Sequence, residues 1–222
     1  MKLKEPMPLC KICFKEIKPN DLHSFCCKKQ IICADCMSKL KPSFRSFSIN
    51  NIKGLAIYDY DENIEGLLYQ FKGCFDIELK DVFLARFSKE LRLYFRGYSI
   101  VPIPSYISDD MKREFNHVIE MFSCLDLPII RVLEKTMKYK QSDQKRKDRK
   151  LIAKVLKMSN INEIENKKIL LVDDVCTTGS SLSAAINLIR LGKPKMIKIL
   201  VMSKVLYKKD LIHANAKSIG DI

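Results

Sequence analysis

Thirteen consecutive residues are the most informative part of this chain: positions 169–181 read ILLVDDVCTTGSS. The stretch begins with four apolar residues, which is typical of a strand buried on both faces. Two carboxylates, Asp173 and Asp174, follow at the end of that strand. A short loop of small hydroxylated residues with Gly179 then opens a helix. This order of strand, acids, loop and helix predicts one βα unit of a parallel sheet.

The loop of this unit has the composition of an anion-binding turn. Because it is short and contains Gly179, its backbone N–H groups can converge on a phosphate at the amino end of the helix. Further donors are the hydroxyl groups of Thr177, Thr178, Ser180 and Ser181. Asp173 and Asp174 lie where open α/β sheets bind ligands, and they can accept hydrogen bonds from two ribose hydroxyls. We therefore expect a sugar-phosphate site; the simpler alternative is an ordinary capped strand-to-helix turn.

The rest of the sequence alternates between strand and helix patterns. Strands are expected at 52–60, 99–104, 128–133 and 196–202, and helices at 63–73, 82–95, 115–122, 151–158 and 181–191. The segment 135–146 has no apolar face and is expected to be an exposed loop. The pattern predicts an α/β domain at 46–222, with a parallel sheet flanked by helices, behind a small module at 1–45.

The small module is rich in cysteine. Six of the nine cysteines of the chain lie in it, and four of these form two C-x-x-C pairs separated by 19 residues: Cys10 with Cys13 and Cys33 with Cys36. This spacing is typical of a tetrahedral four-cysteine zinc site, whose binding energy replaces the core that so short a module lacks. We therefore expect a structural zinc ion. Alternative ligands are His23, Cys26 and Cys27, and disulfides are the other interpretation.

The charge balance indicates an anionic partner. The 222 residues include 40 basic and 26 acidic side chains, a formal net charge of +14. Such an excess favours nucleic acid or a phosphorylated small molecule. The segment 135–157 contributes strongly, with ten Lys or Arg against two Asp. The sequence also lacks an apolar run long enough to span a membrane and lacks a secretory signal, so we expect a cytoplasmic protein without membrane insertion.

The stretch 169–181 resembles the phosphoribosyl-pyrophosphate (PRPP) binding signature of type I phosphoribosyltransferases. This resemblance implies a type I phosphoribosyltransferase-like fold and a PRPP ligand bound together with Mg²⁺. Thr177 stands where the purine-salvage members have an acidic residue, so the resemblance leans away from that class. Cys176 is interpreted as a packed small residue rather than a nucleophile, because no activating group is adjacent in the sequence.

Together, the cysteine module and this domain resemble the ComF family of late-competence proteins, which includes GntX-like members. The similarity extends over nearly the whole chain. Further matching stretches are Tyr69–Gly73, the V-P-V-P-like Val101–Pro104, Gln141 followed by Arg149, and Arg113–His117 in place of R-G-F-N-Q. Two departures lie in the last of these, where Glu114 replaces glycine and His117 replaces glutamine.

The family resemblance implies a role in DNA uptake during natural transformation, near the competence helicase. We therefore expect a protein that binds PRPP and single-stranded DNA. The expected contacts to nucleic acid or pyrophosphate are Lys72, Arg113, Lys145, Arg146 and Arg149, with stacking on Tyr106, Phe115 or Tyr139. The alternative is an active phosphoribosyltransferase that transfers ribose 5-phosphate to a nitrogen nucleophile, although the sequence identifies no catalytic acid or base. A third interpretation is a scaffold that retains the site as a structural relic.

Overall fold

The computed structural model describes residues 7–17, 30–135 and 156–207. The strands are β1 (Pro42–Ile49), β2 (Ile52–Asp59), β3 (Tyr98–Pro102), β4 (Leu133–Lys135), β5 (Leu156–Met158), β6 (Lys168–Cys176) and β7 (Met196–Lys204). A five-stranded sheet has the order β1-β2-β7-β6-β3, and β4 pairs with β5 separately. Strands β2, β7, β6 and β3 are parallel, while β1 is antiparallel to β2. The predicted α/β class with a largely parallel sheet is confirmed.

Short helices connect the strands. They are α1 (Ala34–Lys39), α2 (Glu62–Leu68), α3 (Lys80–Leu84), α4 (Ser88–Tyr94), α5 (Ile107–Arg113), α6 (His117–Phe122) and α7 (Ser180–Leu191). Two of them begin with a side-chain cap, because Asp61 accepts the Ile64 N–H at 2.9 Å and Asn116 accepts the Ile119 N–H at 3.0 Å. Such caps satisfy backbone donors that the first helical turn leaves free.

The sheet has a core on each face, because successive residues of a strand point to opposite sides. On one face, Leu170 and Val172 of β6 pack with α2, α3, α4 and α6 and with buried residues of the cysteine module. On the other face, Ile169 and Leu171 pack with α7 and with the β4–β5 pair. Both faces are therefore covered, which explains why the central strands are almost continuously apolar.

The expected helix at 82–95 is wrong in its length, because α3 and α4 are separated by a 3₁₀ turn at Ala85–Phe87. A continuous α-helix would pair the Phe83 carbonyl with the Phe87 N–H. Instead, the buried Tyr58 hydroxyl donates to that carbonyl at 2.9 Å. A side chain from β2 thus takes the acceptor that the helix needs at this point.

Two other sequence expectations also differ from the structure. The helix expected at 115–122 begins at His117, because Asn116 caps it and Glu114 before it has a φ of +64°. The helical pattern expected at 151–158 is wrong in its described part, since residues 156–158 form β5 and pair with β4. The strand expected at 128–133 is reduced to a short extended contact, in which the Ile130 N–H donates to the Ile100 carbonyl at 2.8 Å.

The start of the sheet lies close to the cysteine module. Strand β1 begins at Pro42, so the expected boundary at residue 45 falls inside it. The module's own buried residues, among them Ile17, Ile32 and Leu40, belong to the same apolar cluster as the helices on that face. The division of the chain at residue 45 stays a prediction, but the two parts share one core.

The central strand should be sensitive to truncation of its side chains. Leu171 in β6 is fully buried, so Leu171→Ala is expected to lower the free energy of unfolding by about 2–5 kcal/mol through lost burial and a residual cavity. Leu191→Ala at the end of α7 is the control, because that side chain is 64% exposed. Urea denaturation would measure both changes, and equal losses for the two variants would contradict the packing described above.

Candidate functional site

The two adjacent carboxylates at the end of β6 lie on opposite faces of the sheet. Asp173 lies on the α7 side and lines a cavity with the loop that follows β6. Asp174 lies on the α6 side, where it is 7% exposed. The alternation of side chains along a strand therefore separates two groups that are neighbours in sequence. The two acids accordingly have different surroundings and different partners.

Asp174 is held by side chains from two other parts of the chain. Its Oδ2 atom lies 2.6 Å from Lys72 Nζ and 3.1 Å from His117 Nε2. Its Oδ1 atom accepts the Val175 N–H at 2.7 Å. The carboxylate thus has a partner for each oxygen. It ties the segment after α2, the start of α6 and the end of β6 together.

His117 extends this network to Arg113. The Arg113 Nη1 atom lies 2.6 Å from His117 Nδ1. Because a guanidinium can only donate, Nδ1 is the acceptor and the ring proton is on Nε2, from which it is donated to Asp174. Arg113 also lies 3.5 Å from Asp110. A continuous chain of polar contacts therefore runs from α5 through α6 to β6.

The two acids have opposite pKa shifts. Burial alone raises the pKa of Asp174, but the hydrogen bond from His117 and the charge of Lys72 hold it well below its usual range. The pKa of Asp173 is raised well above its usual range, first by burial and then by the negative charge of Asp174. Its Oδ1 atom accepts the Asp174 N–H at 3.0 Å. Ionised Asp173 is therefore the less favourable charge of the pair when no ligand is present.

The loop after β6 surrounds a cavity of about 110 Å³. Its lining residues are Asp173, Val175, Cys176, Thr177, Thr178, Gly179, Ser180, Ser181 and Leu182. The Thr178 and Ser180 hydroxyls lie 2.8 Å apart. Within the described parts of the chain, no hydrogen bond is formed by the backbone N–H groups of 177–179. These amides, the hydroxyls and the start of α7 together make a site suited to an anion.

Gly179 allows the chain to turn sharply between β6 and α7. Its φ of +74° is in the left-handed region, which side chains other than glycine's disfavour. A β-carbon at this position would also meet the Ile49 Cδ1 atom at 2.7 Å. Ile49 is the last residue of β1, so the first hairpin of the sheet supports the loop from behind. The buried Cys176, 2% exposed, packs in the same region as expected.

Of the other site residues predicted from the sequence, some lie near the loop, one is buried and the rest are outside the described residues. Lys72 and Arg113 lie at the same edge of the sheet as the loop, but both are engaged by protein partners. Phe115 is buried against Phe71, with 5.4 Å between ring centroids, so it offers no open face for stacking. Outside the described residues lie Tyr139, Gln141, Lys145, Arg146 and Arg149. The contact of His117 with Asp174 could not be predicted from the sequence, because α6 and β6 meet only in the folded chain.

The four cysteines of the paired motifs come together. The Sγ atoms of Cys10, Cys13, Cys33 and Cys36 all lie within 4.8 Å of one another, and those of Cys13 and Cys33 are 3.7 Å apart. For comparison, a tetrahedron with metal–sulfur bonds of about 2.3 Å has edges of about 3.8 Å. The cluster can therefore hold one metal ion. The other candidate ligands, His23, Cys26 and Cys27, are outside the described residues.

Backbone contacts prepare one of these thiols for a metal. Burial raises the pKa of Cys10, but hydrogen bonds from the backbone N–H groups of Cys13, Cys33 and Ile12 outweigh this and lower it to about 6. Burial and hydrogen bonds to the other thiols raise the pKa of Cys36. A bound cation would favour the thiolate form at all four positions, since the thiolate is the ligand.

Comparison with known proteins agrees with this geometry. A family model described as the phosphoribosyl transferase domain matches residues 119–221. Competence protein ComFC of Bacillus subtilis (strain 168) is 29% identical over 188 residues, covering 83% of this chain and 73% of the relative. Competence protein ComFC of Streptococcus pneumoniae is 26% identical over 166 residues, covering 75% and 72%.

Solved structures of phosphoribosyltransferases are also similar to parts of the chain. A hypoxanthine phosphoribosyltransferase from Staphylococcus aureus matches with 18% identity and a TM-score of 0.34, covering 58% of this chain and 74% of that one. A purine phosphoribosyltransferase from Pyrococcus horikoshii matches with 18% identity and a TM-score of 0.35, covering 57% and 81%. Among the described helices, none is long and apolar enough to cross a membrane.

The fold and the site define the class of protein: a phosphoribosyltransferase-like α/β domain preceded by a four-cysteine metal-binding module. Similarity to the ComFC proteins extends over most of the chain. The comparisons and the four-cysteine cluster support a ComF family protein. The family expected from the sequence motifs is confirmed.

The two acids of β6 are expected to respond oppositely to the same substitution. A carboxyl whose pKa is raised on folding costs stability above its unfolded pKa of about 3.9. Asp173→Asn should therefore raise the free energy of unfolding at pH 7 by about 1 kcal/mol. That gain should disappear as the pH falls below about 4, where the carboxyl is protonated in both states.

Asp174→Asn is the matched comparison for this prediction. The pKa of Asp174 is lowered on folding, so its carboxylate stabilises the fold above about pH 4 and its loss should be destabilising at pH 7. Denaturation in urea at pH 7 and at pH 3.5 would measure both variants. If both substitutions changed the free energy of unfolding in the same direction at pH 7, the two carboxylates would not have the separate surroundings described here.

Proposed function

We propose that this chain is a cytoplasmic competence protein that binds PRPP together with Mg²⁺ and handles single-stranded DNA during natural transformation. The observation that carries this proposal is the anion-binding loop at the end of β6, with unused amides and Asp173 around one cavity. The similarity to the ComFC proteins supports the biological setting, since those relatives are competence proteins by name.

The loop would bind the 5-phosphate of PRPP. Its backbone N–H groups at 177–179 and its hydroxyl groups are donors, and the start of α7 favours a negative charge. The cavity of about 110 Å³ is several times the volume of a water molecule, which is about 30 Å³. Phosphate oxygens would replace the internal contact between the Thr178 and Ser180 hydroxyls. Binding therefore uses groups that have few partners in the protein alone.

The two acids would then have different roles. Asp173 lines the cavity and can accept a hydrogen bond from a ribose hydroxyl. Asp174 already has Lys72 and His117 as partners, so its role is to fix the end of β6 and with it the direction of Asp173. Bound Mg²⁺ would neutralise charge on the pyrophosphate of the ligand. The role of Asp174 differs from the sequence expectation, in which both acids contact the ribose.

Single-stranded DNA is the second ligand in the proposal. Expected phosphate contacts at Lys145, Arg146 and Arg149 lie in the basic segment between β4 and β5. The formal net charge of +14 supports attraction of an anionic strand. Lys135 is the last described residue before the gap in this segment, and its Nζ atom lies 4.4 Å from the centroid of the Tyr106 ring. The competence helicase is the expected protein partner in the same process.

Transfer of ribose 5-phosphate to a nitrogen nucleophile is the alternative function, and the phosphoribosyl transferase domain favours it. Such a reaction benefits from a group that can accept a proton from the nucleophile. Near the loop, the imidazole of His117 already has Arg113 and Asp174 as partners. This engagement favours ligand binding over transfer as the role of the site.

We also propose that the metal of the four-cysteine cluster is zinc and that its role is structural. Four thiolates fill a tetrahedral site, which leaves no position for a reacting water. The cluster lies against the helices on one face of the sheet, since Cys10 and Cys36 belong to that apolar core. The ion would therefore stabilise the part of the core to which the cysteine module contributes.

Removal of this metal is expected to destabilise the protein. Cys33→Ser should abolish stoichiometric zinc, measured by inductively coupled plasma mass spectrometry, and should lower the free energy of unfolding by about 3 kcal/mol or more. A zinc chelator should have a similar effect on the wild type. Cys74→Ser is the control, because that cysteine is exposed and is not part of the cluster. The assignment would be contradicted if the wild-type protein contained no bound metal and if the chelator left its free energy of unfolding unchanged.

Binding of PRPP is tested directly by thermal stabilisation. At a concentration 100 times its dissociation constant, a ligand adds about 2.7 kcal/mol, which for a chain of this size raises the melting temperature by roughly 5–10 °C. We expect this shift with PRPP and Mg²⁺ for the wild type and little or no shift for Asp173→Asn. Glu165→Gln, the same chemical change at an exposed position, should behave as the wild type.

Two outcomes of that titration would change the conclusion. If PRPP neither binds to the wild type nor shifts its melting temperature, the site has no ligand of this class and the scaffold interpretation replaces the proposal. Release of pyrophosphate in the presence of a nucleobase would instead establish the transferase alternative. Both measurements use the same protein and the same ligand.

A further inference from the structure

A basic and aromatic surface lies at the opposite end of the sheet from the loop. It is formed by α4, the turn after it, and the first residues of β6 and β7. We call it the amino-edge surface; its residues are Lys89, Arg92, Leu93, Tyr94, Arg96, Lys168 and Lys198. A strand of nine residues such as β6 is roughly 30 Å long, so this surface is well separated from the loop.

One part of the amino-edge surface is a cleft of about 500 Å³. Its walls carry three cations, Lys89, Arg92 and Arg96, all of them exposed. Arg92 pairs with Asp126 at 2.8 Å. Among the described residues, no acidic side chain forms an ion pair with Lys89 or Arg96. The cleft is therefore concave, positively charged and only partly neutralised from within the protein.

On the same helix as Lys89, Arg92 and Leu93, but outside the cleft itself, Tyr94 offers an aromatic face. The side chain is 63% exposed, so most of the ring is open to solvent. Lys198 Nζ lies 4.6 Å from its ring centroid, and the Phe95 ring meets it edge-on at 4.8 Å. These contacts hold the ring in one orientation while most of it remains in contact with solvent. Leu93, which is 72% exposed, adds an apolar side chain next to it.

Further cations surround the aromatic group. Lys198 also lies 5.5 Å from the centroid of the Tyr98 ring, and Lys168 lies 5.8 Å from the same ring. Aromatic rings close to lysine ammonium groups stabilise them in a fixed position. The positive charges around Tyr94 are thus arranged by the protein rather than scattered on long free side chains.

We propose that the amino-edge surface binds single-stranded nucleic acid, with one base stacked on Tyr94 and phosphates further along the strand bound by Lys89 and Arg96 where the strand crosses α4. An exposed aromatic ring on the same helix as unpaired cations suits a single strand, because its bases are free to stack and its phosphates repeat along the chain. A duplex keeps its bases paired and would use the charges but not the ring. The concave cleft also fits a strand better than a flat layer of lipid headgroups.

This inference rests on the proposed function only for its biological setting. The proposed function places the strand on the basic segment between β4 and β5, whereas this surface lies on α4 and at the starts of β6 and β7. A strand that contacts both would be held by two different parts of the chain. The two contacts can be tested separately, because they share no residue.

The stacking contact is tested with a fluorescein-labelled oligodeoxythymidylate of about 15 nucleotides, followed by fluorescence anisotropy with the full chain. Tyr94→Ala should weaken binding about five-fold or more, whereas Tyr94→Phe should retain it. Tyr69→Ala is the matched control, since Tyr69 is 68% exposed and lies elsewhere. Unchanged affinity for Tyr94→Ala would overturn the proposal.

The phosphate contacts are tested by the salt dependence of the same binding. Each phosphate neutralised on a single strand contributes about 0.7 to the slope of log K against log salt concentration. The double variant Lys89→Gln/Arg96→Gln should therefore reduce that slope by about 1.4. The control Lys41→Gln/Lys53→Gln removes two exposed charges elsewhere and should leave the slope unchanged. Since all these positions are exposed, loss of folding is not expected, and circular dichroism checks it.

The same variants distinguish strand binding at the amino-edge surface from binding at the basic segment. In one outcome, neutralising Lys145, Arg146 and Arg149 abolishes strand binding, while the Tyr94 and Lys89/Arg96 variants bind as the wild type. The proposed DNA function then holds, and the proposal that the amino-edge surface binds the strand is overturned. If PRPP does not bind but the Tyr94 and Lys89/Arg96 variants weaken strand binding, the surface is supported and the phosphoribosyl part fails. Equal binding of duplex and single strand, or binding of anionic phosphatidylglycerol vesicles instead, also overturns it.

Discussion

The ion pair between Lys72 and Asp174, joined by His117, is the contact on which the arrangement of the site depends. Two adjacent carboxylates at the end of one strand repel each other, and their charges would be costly side by side in a partly buried place. The pleat of β6 sends them to opposite faces, and the cation then stabilises one of them. Only the other acid remains directed at the cavity.

This separation makes the site a product of the whole sheet rather than of one motif. Lys72 comes from the segment after α2, His117 from α6 and the loop from the start of α7, so three connections must pack correctly before the end of β6 is fixed. The parallel strands β2, β7, β6 and β3 bring all these connections to the same edge. A partly desolvated acid with a raised pKa at such an edge is a common feature of ligand sites, because a ligand can supply the hydrogen bonds that its carboxylate lacks.

Local motifs were predictable from the sequence, and long-range contacts were not. The run at 169–181 predicted β6, the loop and α7 because its apolar residues, acids and glycine act within a few positions of one another. The C-x-x-C pairs likewise predicted the thiol cluster. The break between α3 and α4 was missed, since it depends on a hydroxyl from Tyr58 in a distant strand. The strand at 156–158 was missed for the same reason, because its partner β4 overrides the helical spacing.

The position of Ile49 has a consequence for how this architecture can change over time. This side chain ends the strand that begins just after the cysteine module, and it lies directly behind Gly179. The module packs on the other face of the sheet, where its Ile17, Ile32 and Leu40 share a core with the helices. Strand β1 therefore links the module on one face to the support of the turn on the other, so a change in the length of β1 would displace one relative to the other.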